Sequence, residues 1–293
     1  MRSLLLFSLT LAFATPALAQ PVSLPSAIYT DPPSDPAHPA RMVVLHIPSG
    51  GVQINGVAYL AAGAGPHPTL VICHGLPGNE KNLDLAQAVR RAGWNAITFN
   101  YRGSWGSPGS FRFAQNPEDA RAVLAFLRDP QNAAKLGVDA KHIAMVGHSM
   151  GGWVTALVGG QDYGLAGVGL ISAANMGRER GQNRAQAAAF MADNMEALAG
   201  VTAESMAEEI SANREAFDFT HQAKGLAAKP VLILTSNDGL APQAEELARA
   251  IREAGGARVQ VLHQATDHGW SDRRIALQAA VINWLQSLGS MAH

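Results

Sequence analysis

From Pro68 onward the chain alternates short apolar runs with stretches of helical period, and this rhythm restricts its fold more than any other feature. The runs TLVICHG, WNAITFN, KHIAMVG, LAGVGLIS, PVLILTS and RVQVLH are almost continuously apolar, as strands buried on both faces are. Helical patterns lie between them: around Leu83 to Arg91, from Pro117 to Leu127, after Ser149, from Gln243 to Ala254, and from about Asp272 to Leu288. Repeated strand–helix units with buried strands specify the α/β class, a mostly parallel sheet with helices on both faces. Ahead of them, RMVVLHIP and VQINGVAYLA alternate like an antiparallel pair, with Pro48-Ser49-Gly50-Gly51 as the turn. No internal repeat or second core is evident, so one domain is expected over residues 41–293.

One segment breaks the rhythm. Between Gly177 and Lys224 the sequence, including NRAQAAAFMADNMEALAG and TAESMAEEISANREAF, is helix-prone and carries no strand signal. It is read as a helical insertion, about 177–224, ahead of the strand PVLILTS. An insertion at the ends of parallel strands is a frequent carrier of function. Its methionines, with Met176, Met191, Met195 and Met206 as the set, either line an adaptable apolar pocket or pack the insertion onto the body. Met191 and Met195 are the substrate-binding candidates.

The first nineteen residues, MRSLLLFSLTLAFATPALA, combine one basic residue, an apolar stretch from Leu4 to Ala14, and the small-x-small site Ala17-Leu18-Ala19. They read as a secretory signal peptide over 1–19. The apolar stretch is shorter than the roughly 20 residues that span a bilayer, so export to a periplasmic or secreted location is expected rather than a stable membrane anchor. Residues 20–40, with DPP and PSDPAHP, read as an exposed proline-rich leader. Cys73 is the sole cysteine, which rules out an internal disulfide. Basic and acidic residues number 22 and 23, or 21 and 23 without Arg2 of the signal, a net −2. That near-neutrality offers no electrostatic footprint for nucleic acid and favours a small, weakly charged substrate.

Chemistry is concentrated at the run VGHSMGG, where a strand turns into a helix at Ser149. A tight turn there demands small neighbours, met by Gly147 and Gly151, and exposes the hydroxyl beside the unpaired N–H groups of a helix N-terminus. Ser149 is therefore a candidate nucleophile; a serine in a purely structural strand–helix turn fits the same residues. A nucleophilic serine needs a base, an acid to orient it and donors for an oxyanion, each beyond the carboxyl end of a strand. His268, in the loop ATDHGW after RVQVLHQ, meets that condition; His263 lies within the strand and His148 adjoins the elbow. Asp238 ends PVLILTSN one strand–helix unit earlier, with Asp267 as its competitor by adjacency. Oxyanion donors are expected from the N–H groups of Met150 and Leu76, the latter in the loop HGLPGN after TLVICHG. Cys73 in that strand reads as a buried thiol.

The order Ser149, Asp238, His268, together with the GHSMG elbow, the HG loop and the DGLAP and DHGW loops, resembles the α/β-hydrolase fold family from about Arg41 to Leu288. The loop FNYRGSWGSPG is similar to that of the serine-peptidase and esterase branches, particularly the hydrolase domain of prolyl-oligopeptidase-like enzymes, here without a β-propeller. A dienelactone hydrolase would carry Cys where this chain has Ser149. The resemblance implies a serine hydrolase, foremost a carboxylesterase, acting on an ester, thioester or small amide of a small-molecule acyl substrate. An aminopeptidase-like peptidase and an acyltransferase use the same triad, and a non-enzymatic binding protein on this scaffold is the alternative from another class. The sequence has no P-loop, dinucleotide fingerprint, HExxH or clustered Cys/His spacing, so neither metal nor organic cofactor is expected.

Overall fold

The computed structural model describes residues 24–178 and 183–289. The strands are β1 (Arg41–Ser49), β2 (Val52–Leu60), β3 (His67–Cys73), β4 (Asn95–Phe99), β5 (Val138–His148), β6 (Gly167–Ile171), β7 (Val231–Thr235) and β8 (Val259–His263). They form one sheet in the order β1-β2-β4-β3-β5-β6-β7-β8. β1 pairs antiparallel with β2 and β2 with β4, whereas every pairing from β4 through β8 is parallel. The helices are α1 (Leu83–Arg91), α2 (Asn116–Arg128), α3 (Pro130–Leu136), α4 (Met150–Gly159), α5 (Arg184–Ala192), α6 (Ala203–Ala212), α7 (Arg214–Phe217), α8 (Ala223–Leu226), α9 (Ala241–Glu253) and α10 (Arg274–Gly289).

The continuous apolar runs become buried strands because each must fill two cores. On β3, Val71 and Cys73 join the core that contains Trp153 of α4 and Leu247 of α9, while Leu70 and Ile72 join the core containing Val89 of α1 and Leu285 of α10. The same alternation sends Met145 of β5 to the first core and Ala144 and Val146 to the second. A two-residue side-chain period is what divides one apolar run between two layers.

Several expected boundaries shift. The first hairpin turns on Gly50 and Gly51 alone, both at positive φ, and Pro48 and Ser49 remain in β1, paired with Gln53 and Val52. α3 lies where no helix is expected: Asp129 accepts hydrogen bonds from the Gln131 and Asn132 N–H groups, and Gly137 ends the helix at φ 63°. Residues 1–19, read as a signal peptide, lie outside the described residues. The leader is not exposed throughout. Ser26–Ile28 form a short 3₁₀ turn whose Ala27 and Ile28 pack against the α1–α10 core, with Arg91 donating to the Ala27 and Ile28 carbonyls at 2.6 and 3.2 Å. Two apolar side chains and a ready carbonyl clamp explain the docking. Between β6 and β7 the chain forms α5 to α8, with one isolated bridge between Ser104 and Leu198.

The loop after β4 is anchored by a buried ion pair. Arg102 donates through Nε to Asp119 Oδ1 at 2.6 Å and through its backbone N–H to Oδ2 at 2.8 Å, and Ser49 donates to the same carboxylate at 2.5 Å. Glu118 takes a second guanidinium nitrogen at 2.7 Å. A side chain at Gly50 would collide with this guanidinium, so the hairpin turn must be glycine for space as well as for φ. Asp119→Ala strands the buried Arg102 charge with only an exposed partner, and the expected loss is about 3 kcal/mol in chemical denaturation. A loss below about 1 kcal/mol, the range of an exposed pair, would show that the anchor carries little stability.

Candidate active site

Ser149 sits between β5 and α4 at φ 57° and ψ −121°, a conformation that L residues rarely adopt. The surrounding glycines explain how it is held there. A Cβ on Gly147 would run into the Gly151 carbonyl and stand 2.5 Å from Thr155 Oγ1. One on Gly151 would meet the Cys73 and His74 carbonyls, and one on Gly152 would fall 2.5 Å from Ala173 Cβ. Strand and helix therefore approach through backbone alone, and the turn is locked further by Ser149 N–H donating to the Ile171 carbonyl at 2.9 Å and Ala174 N–H donating to the Ser149 carbonyl at 3.0 Å.

The carboxyl ends of the other parallel strands bring the remaining expected residues to the same edge. His268 donates from Nδ1 to Asp238 Oδ2 at 2.7 Å, because the carboxylate can only accept. The Asp238 side chain is 4% exposed and that of His268 41%. Burial opposes ionisation of Asp238, yet hydrogen bonds from His268, the Leu240 N–H and the Ser236 hydroxyl outweigh it and hold the carboxyl at about 2. Asp267 does not reach the imidazole: its Oδ1 accepts the Ser271 N–H at 2.8 Å, closing the loop's own turn. His263 is occupied along the outer strand, with Thr235 Oγ1 at 3.0 Å and Asn237 Oδ1 at 3.0 Å.

His148 has a role that its position beside Ser149 did not signal. Its Nε2 donates to the His268 carbonyl at 2.8 Å, and the two rings lie 4.6 Å apart at 44°. Burial, reinforced by the nearby His268, lowers His148 to about 4, so the ring is neutral near neutral pH and places no second positive charge beside His268. The residue before the elbow thus fastens the loop that carries the histidine.

Leu76 and Met150 flank the elbow. Met150 opens α4, so its N–H belongs to the first helical turn and lacks an intrahelical acceptor. The loop bearing Leu76 passes against Ser149 so closely that a Cβ on Gly75 would come 2.9 Å from Ser149 Cβ. That loop is braced from below by His74 Nδ1 donating to the Gly75 carbonyl at 2.8 Å, and from the side by Trp105 Nε1 donating to the Pro77 carbonyl at 2.6 Å. Lys81 stacks on Trp105, with Nζ 4.1 Å from the ring centre. The FNYRGSWGSPG loop is therefore a brace for the Leu76 loop. Cys73 is fully buried, and burial pushes its thiol up to about 12, which removes it as a nucleophile.

The two methionine candidates separate. Met191 is buried and lines a cavity of about 70 Å³ with Met176, Ala187, Ala207, Ile210 and Asn175. Met195 is half-buried against the same core and is not among the residues lining that cavity. Asn175 of the cavity wall stands one residue beyond Ala174, whose N–H donates to the Ser149 carbonyl; Ser149 itself is not in the wall.

Comparison with known proteins agrees with this architecture. Residues 70–281 match the model of the Alpha/beta hydrolase family. An uncharacterized protein of Mycobacterium tuberculosis is 29% identical over 114 residues, 39% of this chain, and the match spans only 39% of that relative. Among solved structures, the carboxylesterase EstE1 from a metagenomic library superposes with a TM-score of 0.64 at 22% identity, over 90% of this chain and 92% of that one. The Pyrococcus horikoshii acylaminoacyl peptidase gives 0.63 at 16% identity, over 84% of this chain and 41% of that one. A Mycobacterium tuberculosis puromycin-hydrolyzing peptidase gives 0.64 at 19%, over 86% of this chain and 40% of that one. At such identities these likenesses speak for the fold. With its family model spanning most of the sheet and both helical layers, the chain belongs to the alpha/beta hydrolase family.

Proposed function

We propose that the protein is an exported serine hydrolase that cleaves esters of small-molecule acyl groups through an acyl-enzyme, as a carboxylesterase. The observation that carries the reading is the 2.7 Å hydrogen bond between buried Asp238 and half-exposed His268, set at the same sheet edge as a serine in a strained elbow. With Nδ1–H committed to Asp238, the neutral imidazole keeps the lone pair of Nε2, which takes the Ser149 proton as Oγ attacks the carbonyl carbon. The imidazolium then returns that proton to the leaving alcohol. In the second half, His268 takes a proton from water, and the hydroxide equivalent releases the acid and regenerates Ser149. Asp238, ionised throughout the neutral range, orients the ring and stabilises its charged form. The Met150 and Leu76 N–H groups receive the oxyanion.

The acyl chain is assigned to the cavity under α5 and α6. Met176, Ala187, Met191, Ala207 and Ile210 give it an apolar side, facing Asn175, Arg178, Asn183, Arg184 and Ser211, and Met176 and Met191 adapt to chains of differing shape. The same triad serves amides, so the decisive assay sets p-nitrophenyl esters of graded length beside aminoacyl-anilides. Turnover of the esters, abolished in Ser149→Ala, is expected; turnover of the anilides alone would replace the esterase reading with a peptidase one.

Ser149→Ala is expected to lower kcat by at least about 10³-fold with the melting temperature little changed, since alanine keeps the same Cβ at the positive φ. Activity within tenfold of wild type would remove Ser149 from the nucleophile's role. Asp238→Asn is expected to cost about 10³- to 10⁴-fold in kcat, because an amide favours the wrong imidazole tautomer. The same variant has a stability signature. The folded carboxyl lies near 2, below the ordinary value of about 3.9, so its contribution is complete above that value and is lost as the pH falls through 2. The stability gap between wild type and Asp238→Asn should therefore narrow from pH 4 to pH 2, and a constant gap in acid titrations followed by circular dichroism would contradict the assignment. Met191→Ala should move the preferred acyl length upward by enlarging the cavity, whereas Met195→Ala should leave it in place. An identical chain-length profile in Met191→Ala would place the acyl site elsewhere.

A further inference from the structure

Two of the parallel strand runs, LAGVGLIS and PVLILTS, end in serine, and both serines are buried at the sheet edge behind the Asp238–His268 pair. Ser172 follows β6 and Ser236 follows β7; their hydroxyl oxygens are 2.8 Å apart. Trp270, two residues beyond His268 in the loop after β8, is also buried and donates from Nε1 to Ser172 Oγ at 3.0 Å. At the other end Ser236 lies two residues before Asp238, and its hydroxyl is one of the side-chain groups that lower the Asp238 carboxyl.

We propose that Trp270, Ser172 and Ser236 form a one-directional hydrogen-bond chain that positions Asp238 for His268, making all three positioning residues of the site. The direction follows from the donor inventory. A carboxylate only accepts, so the single Ser236 proton goes to Asp238. Ser236 Oγ is then an acceptor, and the single Ser172 proton goes to it. Indole nitrogen only donates, so Trp270 supplies the third bond. One proton arrangement satisfies every buried polar atom in the series, and its donors all face the charge on Asp238.

The chain also links three loops, two of which the backbone holds under strain. Ser172 is at φ 44° and Trp270 at φ 60°, both outside the usual range for residues with side chains. A loop that only needed to cross the sheet edge would relax from such values, whereas here they bring an indole N–H and a hydroxyl into line. Because Trp270 and His268 share a loop, one strap fixes the acid, the base and the separation between them. Hydrogen bonds in series polarise one another, which strengthens the hold on the carboxylate.

The inference rests on the hydrolase reading for its kinetic consequences, but its first readout does not. The low-field proton resonance of His268 Nδ1 reports the bond to Asp238 directly. In Ser236→Ala the carboxylate loses a donor and becomes a stronger acceptor for His268, so the resonance should move further downfield. On ester substrates kcat should fall on the order of tenfold with KM unchanged. Adding Trp270→Phe to Ser236→Ala should cost nothing more, because the chain is already cut. Ser172→Gly, which suits the positive φ and deletes the middle hydroxyl, should give the same shift and the same kcat loss, and serves if Ser236→Ala folds poorly. An unshifted resonance with unchanged kcat in folded Ser236→Ala and Ser172→Gly, or multiplying losses in the double variant, would overturn the chain. A shifted resonance in a protein that turns over no ester would support the chain and overturn the hydrolase reading instead.

Discussion

The site depends on the close approach of β5 and α4 around Ser149. A non-glycine residue at positive φ costs roughly 1–3 kcal/mol and persists only where its surroundings leave no alternative. Here the surroundings are backbone and one methyl group: Gly147 against Gly151, Gly151 against the carbonyls at the end of β3, and Gly152 against the Ala173 methyl after β6. Three neighbouring strand ends are thereby drawn to one point. The Leu76 loop, the elbow and the segment leading to the cavity are adjacent because the helix side of each approach is glycine. The two apolar cores hold the strands from either side, so the strain at Ser149 is supported by the whole sheet.

Around that point the loops are joined to one another more than to solvent. His148 ties the elbow to the His268 carbonyl, Trp105 ties the β4 loop to the Leu76 loop, and Arg102 ties the β4 loop to α2 and the first hairpin. Each tie is a buried or half-buried polar contact between elements far apart in sequence. A pre-organised site of this kind lets charge develop without reorganising its donors, which is where much of the rate of such enzymes originates.

Much of this was legible in the residues, and the failures have physical causes. The continuous apolar runs marked the parallel strands because burial on both faces leaves no room for polar alternation; the elbow context then singled out Ser149 as a candidate, and the strand-end rule Asp238 and His268. α3 escaped because seven residues with one buried side chain carry almost no periodicity, although Asp129-Pro130 and Gly137 bracket it with capping chemistry. The docking of Ala27 and Ile28 escaped because two apolar residues among prolines give no period at all. His148, Ser172, Ser236 and Trp270 were out of reach for another reason: their partners lie 64 to 120 residues away, and only the folded sheet edge brings them together. Met191 and Met195 looked equivalent at four residues' separation, yet only one faces the cavity because the helix ends between them.

The central claim is that Ser149 is an activated nucleophile. Its most direct test is to treat the folded protein with a fluorophosphonate, digest it, and locate the adduct by mass spectrometry. The account predicts a single modification on the peptide containing GHSMGG, at Ser149. An unlabelled protein, or an adduct on any other residue, would contradict it.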